Sequence, residues 1–121
     1  SKETLAGTAS NAFESAQRFD FKQDAGGIVD IEFMVQYAAL AWSHRHPQLL
    51  RFTDNIRILD GLRDLNLLPS EDVGLLQEAY KALRIAAHRK ALQDQPGTVS
   101  ADQLVAERQT VLRIWQELGL T

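Results

Sequence analysis

The stretch Lys22–Trp42, KQDAGGIVDIEFMVQYAALAW, decides the fold because it is the most apolar segment and two glycines introduce it. Its first half alternates apolar residues with Asp30 and Glu32, as a strand would. The apolar run is about 15 residues long, which exceeds an ordinary strand, and its second half is rich in the helix former alanine. We therefore predict a central buried helix, Ile28–Trp42, apolar nearly all round and ended by Ser43–Pro47.

The chain before the glycines is predicted to be irregular. Residues 1–18 are small and polar without a sustained period, which is typical of an irregular N-terminal segment or linker. Phe19–Lys22 alternates apolar and polar residues, which indicates a very short strand or an extended lead-in. Residues 19–121 are predicted to form a single helical domain.

Three further helices are predicted after the central one. Their predicted bounds are Asp54–Asn66, Glu71–Gln93 and Ala101–Leu118. Thr53 and Ser70 are predicted N-caps, and Ser100 with Gln103 matches a capping box. Short connections favour antiparallel neighbours, so the predicted fold class is all-α, an antiparallel bundle of about four main helices.

Composition excludes several function classes. The 121 residues carry a formal net charge of −3, and the basic side chains are spread along the chain rather than clustered, which argues against nucleic-acid and membrane-surface binding. Cysteine is absent, which excludes disulfides, a thiolate nucleophile and thiolate metal sites, and suits a reducing cytosol. No apolar run is long enough to span a bilayer, and the first residues do not resemble a signal peptide.

Gly26-Gly27 at the start of the central helix allows two interpretations. Backbone N–H groups at a helix N-terminus favour anions, and glycines let a ligand approach, with Lys22 adding a positive charge. The other interpretation is a tight turn into a buried helix. Asp30 and Glu32 point about 200° apart on a helix, so a metal shared by this pair is not expected. They are either acids favoured by the helix dipole or carboxylates of which one reaches an active site.

The histidines do not predict a metal site. His44 and His46 lie at a helix end and His88 on another helix, and no i, i+4 histidine pair occurs. Arg84 and His88 are one helical turn apart and are predicted to share a stripe at a surface or interface. No nucleophile elbow or P-loop occurs, so a complete catalytic apparatus is not visible.

Phe19–Phe33, FDFKQDAGGIVDIEF, resembles the junction motif of bacterial glutamine synthetase adenylyltransferase, also called glutamate–ammonia-ligase adenylyltransferase. Further segments resemble the same family: Thr53–Leu59, Ala79-Tyr80, Leu83-Arg84, His88 and Leu92–Gly97. The similarity covers nearly all of the chain from Phe19 onward. The related uridylyltransferase that modifies the PII signalling protein carries a looser version of the junction.

The resemblance implies a helical domain that follows the C-terminal, adenylylating nucleotidyltransferase domain of a two-part cytoplasmic enzyme. One half of that enzyme transfers AMP from ATP to glutamine synthetase, and the other half removes it. Lys22, Gly26, Gly27, Asp30 and Glu32 match the family motif and would lie near the nucleotide. The family's Gly-Ser turn and magnesium-holding Asp-x-Asp pair do not occur here. This chain is therefore expected to be inactive alone, with no catalytic residue, bound cofactor or metal of its own.

The resemblance also implies partners and leaves alternatives. Glutamine synthetase, the PII protein and the upstream nucleotidyltransferase domain are the expected partners, and magnesium and ATP are expected in the full enzyme. One alternative is a self-standing helical module that binds other proteins. Another is the equivalent domain of the deadenylylating half, or of the PII uridylyltransferase.

Overall fold

The computed structural model describes residues 18–100 and 102–120. These residues form four α-helices, a short 3₁₀ helix and two three-residue strands. In chain order they are β1 Arg18–Asp20, α1 Ile28–Ser43, the 3₁₀ helix Pro47–Leu50, α2 Asn55–Asp64, α3 Ser70–Leu92, β2 Thr98–Ser100 and α4 Val105–Glu117. The predicted all-α class with four main helices is confirmed.

The irregular segment predicted for residues 1–18 lies, apart from Arg18, outside the described residues. Residues 19–121 as a single domain stay a prediction. The predicted bounds of α1, α2 and α3 are right to within two residues, although Asp54 rather than Thr53 caps α2. Its carboxylate accepts from the backbone N–H of Ile56 at 2.8 Å. No helix in the described part is long and apolar enough to cross a membrane.

A two-stranded antiparallel ladder joins the start of the domain to the segment before α4. Arg18 pairs with Ser100, and Asp20 pairs with Thr98. Arg18 Nε also donates to Thr98 Oγ1 at 2.9 Å. The predicted short strand is thus confirmed, but the capping box at Ser100 is wrong. Ser100 is the last residue of β2, so α4 begins only at Val105.

Helix α1 packs one face into the core and leaves the other exposed. Its buried face carries Ile31, Met34, Val35, Ala38 and Ala39, and α1 contacts the 3₁₀ helix and all three other α-helices. On the opposite face Phe33, Tyr37 and Leu40 are 52%, 45% and 65% exposed. The expectation that this helix is buried all round is therefore wrong. Ala38 and Ala39 are buried, while Phe33 and Tyr37 lie on the exposed face.

The turn between β1 and α1 is closed by its own hydrogen bonds. The N–H of Ile28 donates to the carbonyl of Phe21 at 2.7 Å, and the N–H of Val29 donates to the carbonyl of Lys22 at 3.1 Å. The first N–H groups of a helix have no partner within the helix. Here the preceding turn supplies those partners, so the turn and α1 form one continuous hydrogen-bonded unit.

Both glycines of this turn are required by close backbone contacts. A Cβ added at Gly27 would lie 2.7 Å from the carbonyl oxygen of Phe21 and 2.8 Å from that of Asp24. Gly26 has φ +82°, and a Cβ there would lie 2.9 Å from the backbone oxygen of Arg108 in α4. The twin glycines therefore let the turn pack against α4 as well as against itself.

We predict that Gly27→Ala lowers the free energy of unfolding by about 1–3 kcal/mol, because the added methyl group meets backbone atoms that cannot rotate away. Urea denaturation followed by circular dichroism measures the change. Gly74→Ala is the matched control, since Gly74 lies in α3 and an added Cβ there has no neighbour within 4 Å. That control should be neutral or stabilising by up to about 1 kcal/mol. Equal stabilities for the two variants would contradict the argument.

Candidate functional site

Two of the five predicted site residues meet in one open cavity. Lys22 projects from the turn and is exposed, and Glu32 is half-buried on the second turn of α1. The cavity has a volume of about 450 Å³. Its lining residues are Lys22, Ile28, Glu32, Tyr80, Arg84, Ala87 and His88. Gly26, Gly27 and Asp30 do not line it, so the structure divides the predicted set into two parts.

The carboxylate of Asp30, in the first turn of α1, bonds to the turn that precedes the helix. Its Oδ2 accepts a hydrogen bond from the backbone N–H of Gly26 at 2.8 Å, and Gly26 is buried. A carboxylate in the first turn is also favoured by the positive end of the helix dipole. The interpretation of Asp30 as an acid that stabilises the helix start therefore has direct structural support.

The backbone of the turn does not present an anion cradle. Four consecutive N–H groups, those of Gly26, Gly27, Ile28 and Val29, all donate to oxygens of the turn and of Asp30. Backbone anion sites need N–H groups that point outward without partners. The anion-binding interpretation of the two glycines is therefore wrong, and the tight-turn interpretation holds. That the five residues lie near a nucleotide in a full-length enzyme stays a prediction.

A buried tyrosine hydroxyl connects three helices at the cavity wall. Tyr80 of α3 is only 4% exposed. Its hydroxyl donates to Glu32 Oε2 of α1 over a long 3.4 Å, and accepts from Asn55 Nδ2 of α2 at 3.2 Å and from Arg84 Nη1 at 3.1 Å. One donor and two acceptor positions are all that a hydroxyl offers, so Tyr80 is fully used.

A second cavity of about 460 Å³ shares Glu32, Tyr80 and Arg84 with the first. Its other lining residues are Thr53, Asp54, Asn55, Ile56, Lys81 and Ile85. Asn55 Oδ1 is buried there without a hydrogen-bond partner among the described atoms. The two cavities therefore share a polar wall from α1 and α3.

Sequence reasoning found some of these residues and missed others. The predicted stripe of Arg84 and His88 is confirmed, since both line the cavity of Lys22. The polar roles of Tyr80 and Asn55 were missed. One signal was present for Tyr80, because a tyrosine in an apolar helix stripe needs a partner for its hydroxyl once it is buried.

A family model described as GlnD PII-uridylyltransferase matches residues 6–120. The chain belongs to this family. Curated relatives include the bifunctional glutamine synthetase adenylyltransferase/adenylyl-removing enzymes of Pseudomonas aeruginosa, 68% identical over 117 residues, and of Pseudomonas syringae pv. tomato, 65% identical over 118 residues. These alignments cover 97% and 98% of this chain. The enzyme of the same name from Hahella chejuensis is 46% identical over 112 residues, 93% of this chain.

The chain spans 12% of the length of these curated relatives. The resemblance to glutamine synthetase adenylyltransferase is thereby confirmed at high identity over nearly the whole chain. Within the PII-uridylyltransferase family, this chain corresponds to a small region of much longer enzymes.

We predict that Asp30→Ala lowers the free energy of unfolding by about 1–3 kcal/mol, because the buried N–H of Gly26 loses its acceptor. Asp30→Asn keeps an oxygen at this place and should cost less. Urea denaturation of the two variants beside the wild type measures the difference. If Asp30→Ala unfolds at the wild-type midpoint, the carboxylate does not stabilise the turn.

Proposed function

We propose that this chain is the helical domain that follows the C-terminal, adenylylating nucleotidyltransferase domain of an enzyme that regulates glutamine synthetase. That enzyme transfers AMP from ATP to glutamine synthetase, and this domain is accessory to its catalytic core. One observation carries the accessory role: 68% identity to a bifunctional enzyme extends over 97% of the chain but only 12% of that enzyme. A segment of this size is one ordinary domain, so the remaining length supplies the core.

The geometry supports a part for Lys22 in the reaction. Lys22 is carried by a turn whose backbone is fixed by hydrogen bonds, and it faces the same open cavity as Glu32. Transfer of a phosphoryl-type group depends on positioned charges that stabilise the charge spread over the phosphate oxygens. A lysine ammonium held at the edge of the nucleotide site would supply one such charge. Asp30 and the two glycines would act indirectly, by keeping the turn in place.

Magnesium and ATP belong, in this proposal, to the full enzyme. The chain lacks the Asp-x-Asp pair with which the resembled family holds the metal, so the metal ligands are placed in the core. When bound there, magnesium neutralises part of the triphosphate charge. This domain would contact the nucleotide only through the side chains that line its cavity.

The proposed partners follow from the same comparison. The names of the relatives support glutamine synthetase as the protein substrate, and the description of the family model supports a link to the PII protein. The upstream nucleotidyltransferase domain would contact the cavity edge near Lys22. A cytoplasmic location is part of the proposal, since glutamine synthetase would have to be reached there.

A second candidate is the equivalent domain of the deadenylylating half or of a PII uridylyltransferase. The description of the family model favours the latter, and the words "adenylyl-removing" in the relatives' names favour the former. Three assays of the full-length enzyme separate these functions: AMP transfer from ATP, phosphate-dependent AMP removal, and UMP transfer from UTP to PII. The activity that is lost when this domain is deleted identifies the catalytic domain that it serves.

A third candidate, from another class, is a self-standing module that binds other proteins. The exposed face of α1, with Phe33, Tyr37 and Leu40, favours it because exposed apolar patches often mark interaction sites. Under this function, deletion of the domain leaves nucleotide transfer intact in the full-length enzyme and removes only partner binding. Loss of transfer would eliminate it.

We predict that the 121-residue chain alone transfers no AMP from ATP to glutamine synthetase in the presence of magnesium. The full-length enzyme should do so, and should lose the activity when this domain is deleted. Incorporation of radiolabelled AMP into glutamine synthetase measures both outcomes. Activity of the isolated chain would show that the catalytic core is misplaced in the proposal.

We predict that Lys22→Ala in the full-length enzyme lowers AMP transfer roughly tenfold or more, as loss of a charge-assisted hydrogen bond to phosphate requires. Stability should not change, because the Lys22 side chain is exposed. Lys90→Ala, which removes the same charge from the last turn of α3 outside both cavities, is the control. Steady-state kinetics and the unfolding midpoint are measured for both variants. If Lys22→Ala and Lys90→Ala have equal activities, the nucleotide does not bind beside Lys22.

A further inference from the structure

The cavity that holds Lys22 has a second basic wall. Arg84 and His88 lie one turn apart on α3 and line the same cavity, which has a volume of about 450 Å³. A cavity of this size falls in the range of small-molecule sites. Among its lining residues Glu32 is the one acid, so with His88 neutral the cavity still carries a formal excess of one positive charge, two basic groups against one acid. The two walls come from parts of the chain about 60 residues apart.

Arg84 is held in position by Tyr80. Arg84 Nη1 donates to the Tyr80 hydroxyl at 3.1 Å, and the guanidinium carbon lies 5.5 Å from the centre of the tyrosine ring. The ring itself is buried in the core, with 4% exposure. An arginine has five N–H donors, and the bond to Tyr80 engages one nitrogen of an exposed side chain. The other nitrogens of the planar group keep donors for a ligand, and a planar fork loses less freedom per hydrogen bond formed than a flexible ammonium does.

We propose that Lys22, Arg84 and His88 form a subsite for the phosphate groups of a nucleoside polyphosphate, with Tyr80 as the positioning residue of Arg84. The inference rests on the proposed function, which places a nucleotide beside Lys22, and extends it to residues of α3. Phosphate is favoured over a carboxylate because it offers more acceptor oxygens, which an arginine fork, a lysine ammonium and an imidazole N–H can share. Glu32 accepts from Tyr80 and so fixes the hydroxyl that orients Arg84.

The first experiment measures binding to the 121-residue chain directly. Sodium tripolyphosphate is titrated into ¹⁵N-labelled protein, and backbone amide shifts are followed by NMR. We expect saturable shifts near Lys22, Arg84 and His88, and about tenfold weaker binding by Arg84→Gln, which loses a charge-assisted contact. Arg89→Gln, which removes the same charge from the last turn of α3, outside the lining of both cavities, should bind as the wild type does.

Citrate at the same ionic strength separates the subsite from general attraction to basic side chains. It should produce no saturable shifts at these positions. Equal binding by wild type and Arg84→Gln overturns the proposal, as do identical shifts with citrate and tripolyphosphate.

A double-mutant cycle tests the role of Tyr80. Tyr80→Phe keeps the buried ring and removes only the hydroxyl, and should weaken tripolyphosphate binding about threefold to tenfold. In an Arg84→Gln background the same change should have no further effect, because the hydroxyl acts through Arg84. Additive losses, or a Tyr80→Phe variant that binds normally, would overturn the positioning role. Unfolding midpoints of all four proteins exclude loss of fold as the cause.

The full-length enzyme distinguishes failure of this inference from failure of the proposed function. Arg84→Gln should raise KM for ATP about tenfold. Binding of glutamine synthetase, measured without nucleotide, should not change. If deletion of the domain abolishes AMP transfer while Arg84→Gln leaves the kinetics unchanged, the proposed function stands and the subsite does not. If deletion leaves transfer intact as well, both are wrong.

Discussion

The structure depends on how the chain enters α1. Backbone carbonyls of Phe21 and Lys22 accept the first N–H groups of the helix, and the carboxylate of Asp30 reaches back to Gly26. Turn and helix therefore form one hydrogen-bonded unit. Gly26 also packs closely against the backbone of α4, so this unit contacts the last helix. Lys22 thus emerges at a defined place, opposite the side chains of α3.

Local patterns predicted what local interactions determine. The helices α1, α2 and α3 follow from apolar periodicity and from breakers such as Pro47 and Pro69, and their bounds were nearly right. The predicted start of α4 was wrong because Ser100 pairs in a strand with Arg18, 82 residues earlier in the chain. A capping box at Ser100 is a valid local signal, but strand pairing with a distant segment competes with it and wins.

The candidate site, too, was predictable only where local patterns determine it. Lys22 and Glu32 were singled out because they lie in one motif, and Arg84 and His88 because they lie one turn apart on one helix. That all four face a single cavity could not be read from the sequence, since it depends on how α1 packs against α3. The role of Asp30 was one of two open alternatives. The hydrogen bond from the N–H of Gly26 supports the structural alternative, and it could not be read from the sequence.

The ladder between β1 and β2 has a kinetic consequence. Arg18–Asp20 and Thr98–Ser100 enclose the whole of α1, α2 and α3, and closing so long a loop costs entropy that early contacts do not repay. Neighbouring helices meet at short sequence separation and can associate first. We infer that the two strands pair late in folding. A partly folded molecule would then have α1, α2 and α3 packed together before β1 and β2 pair.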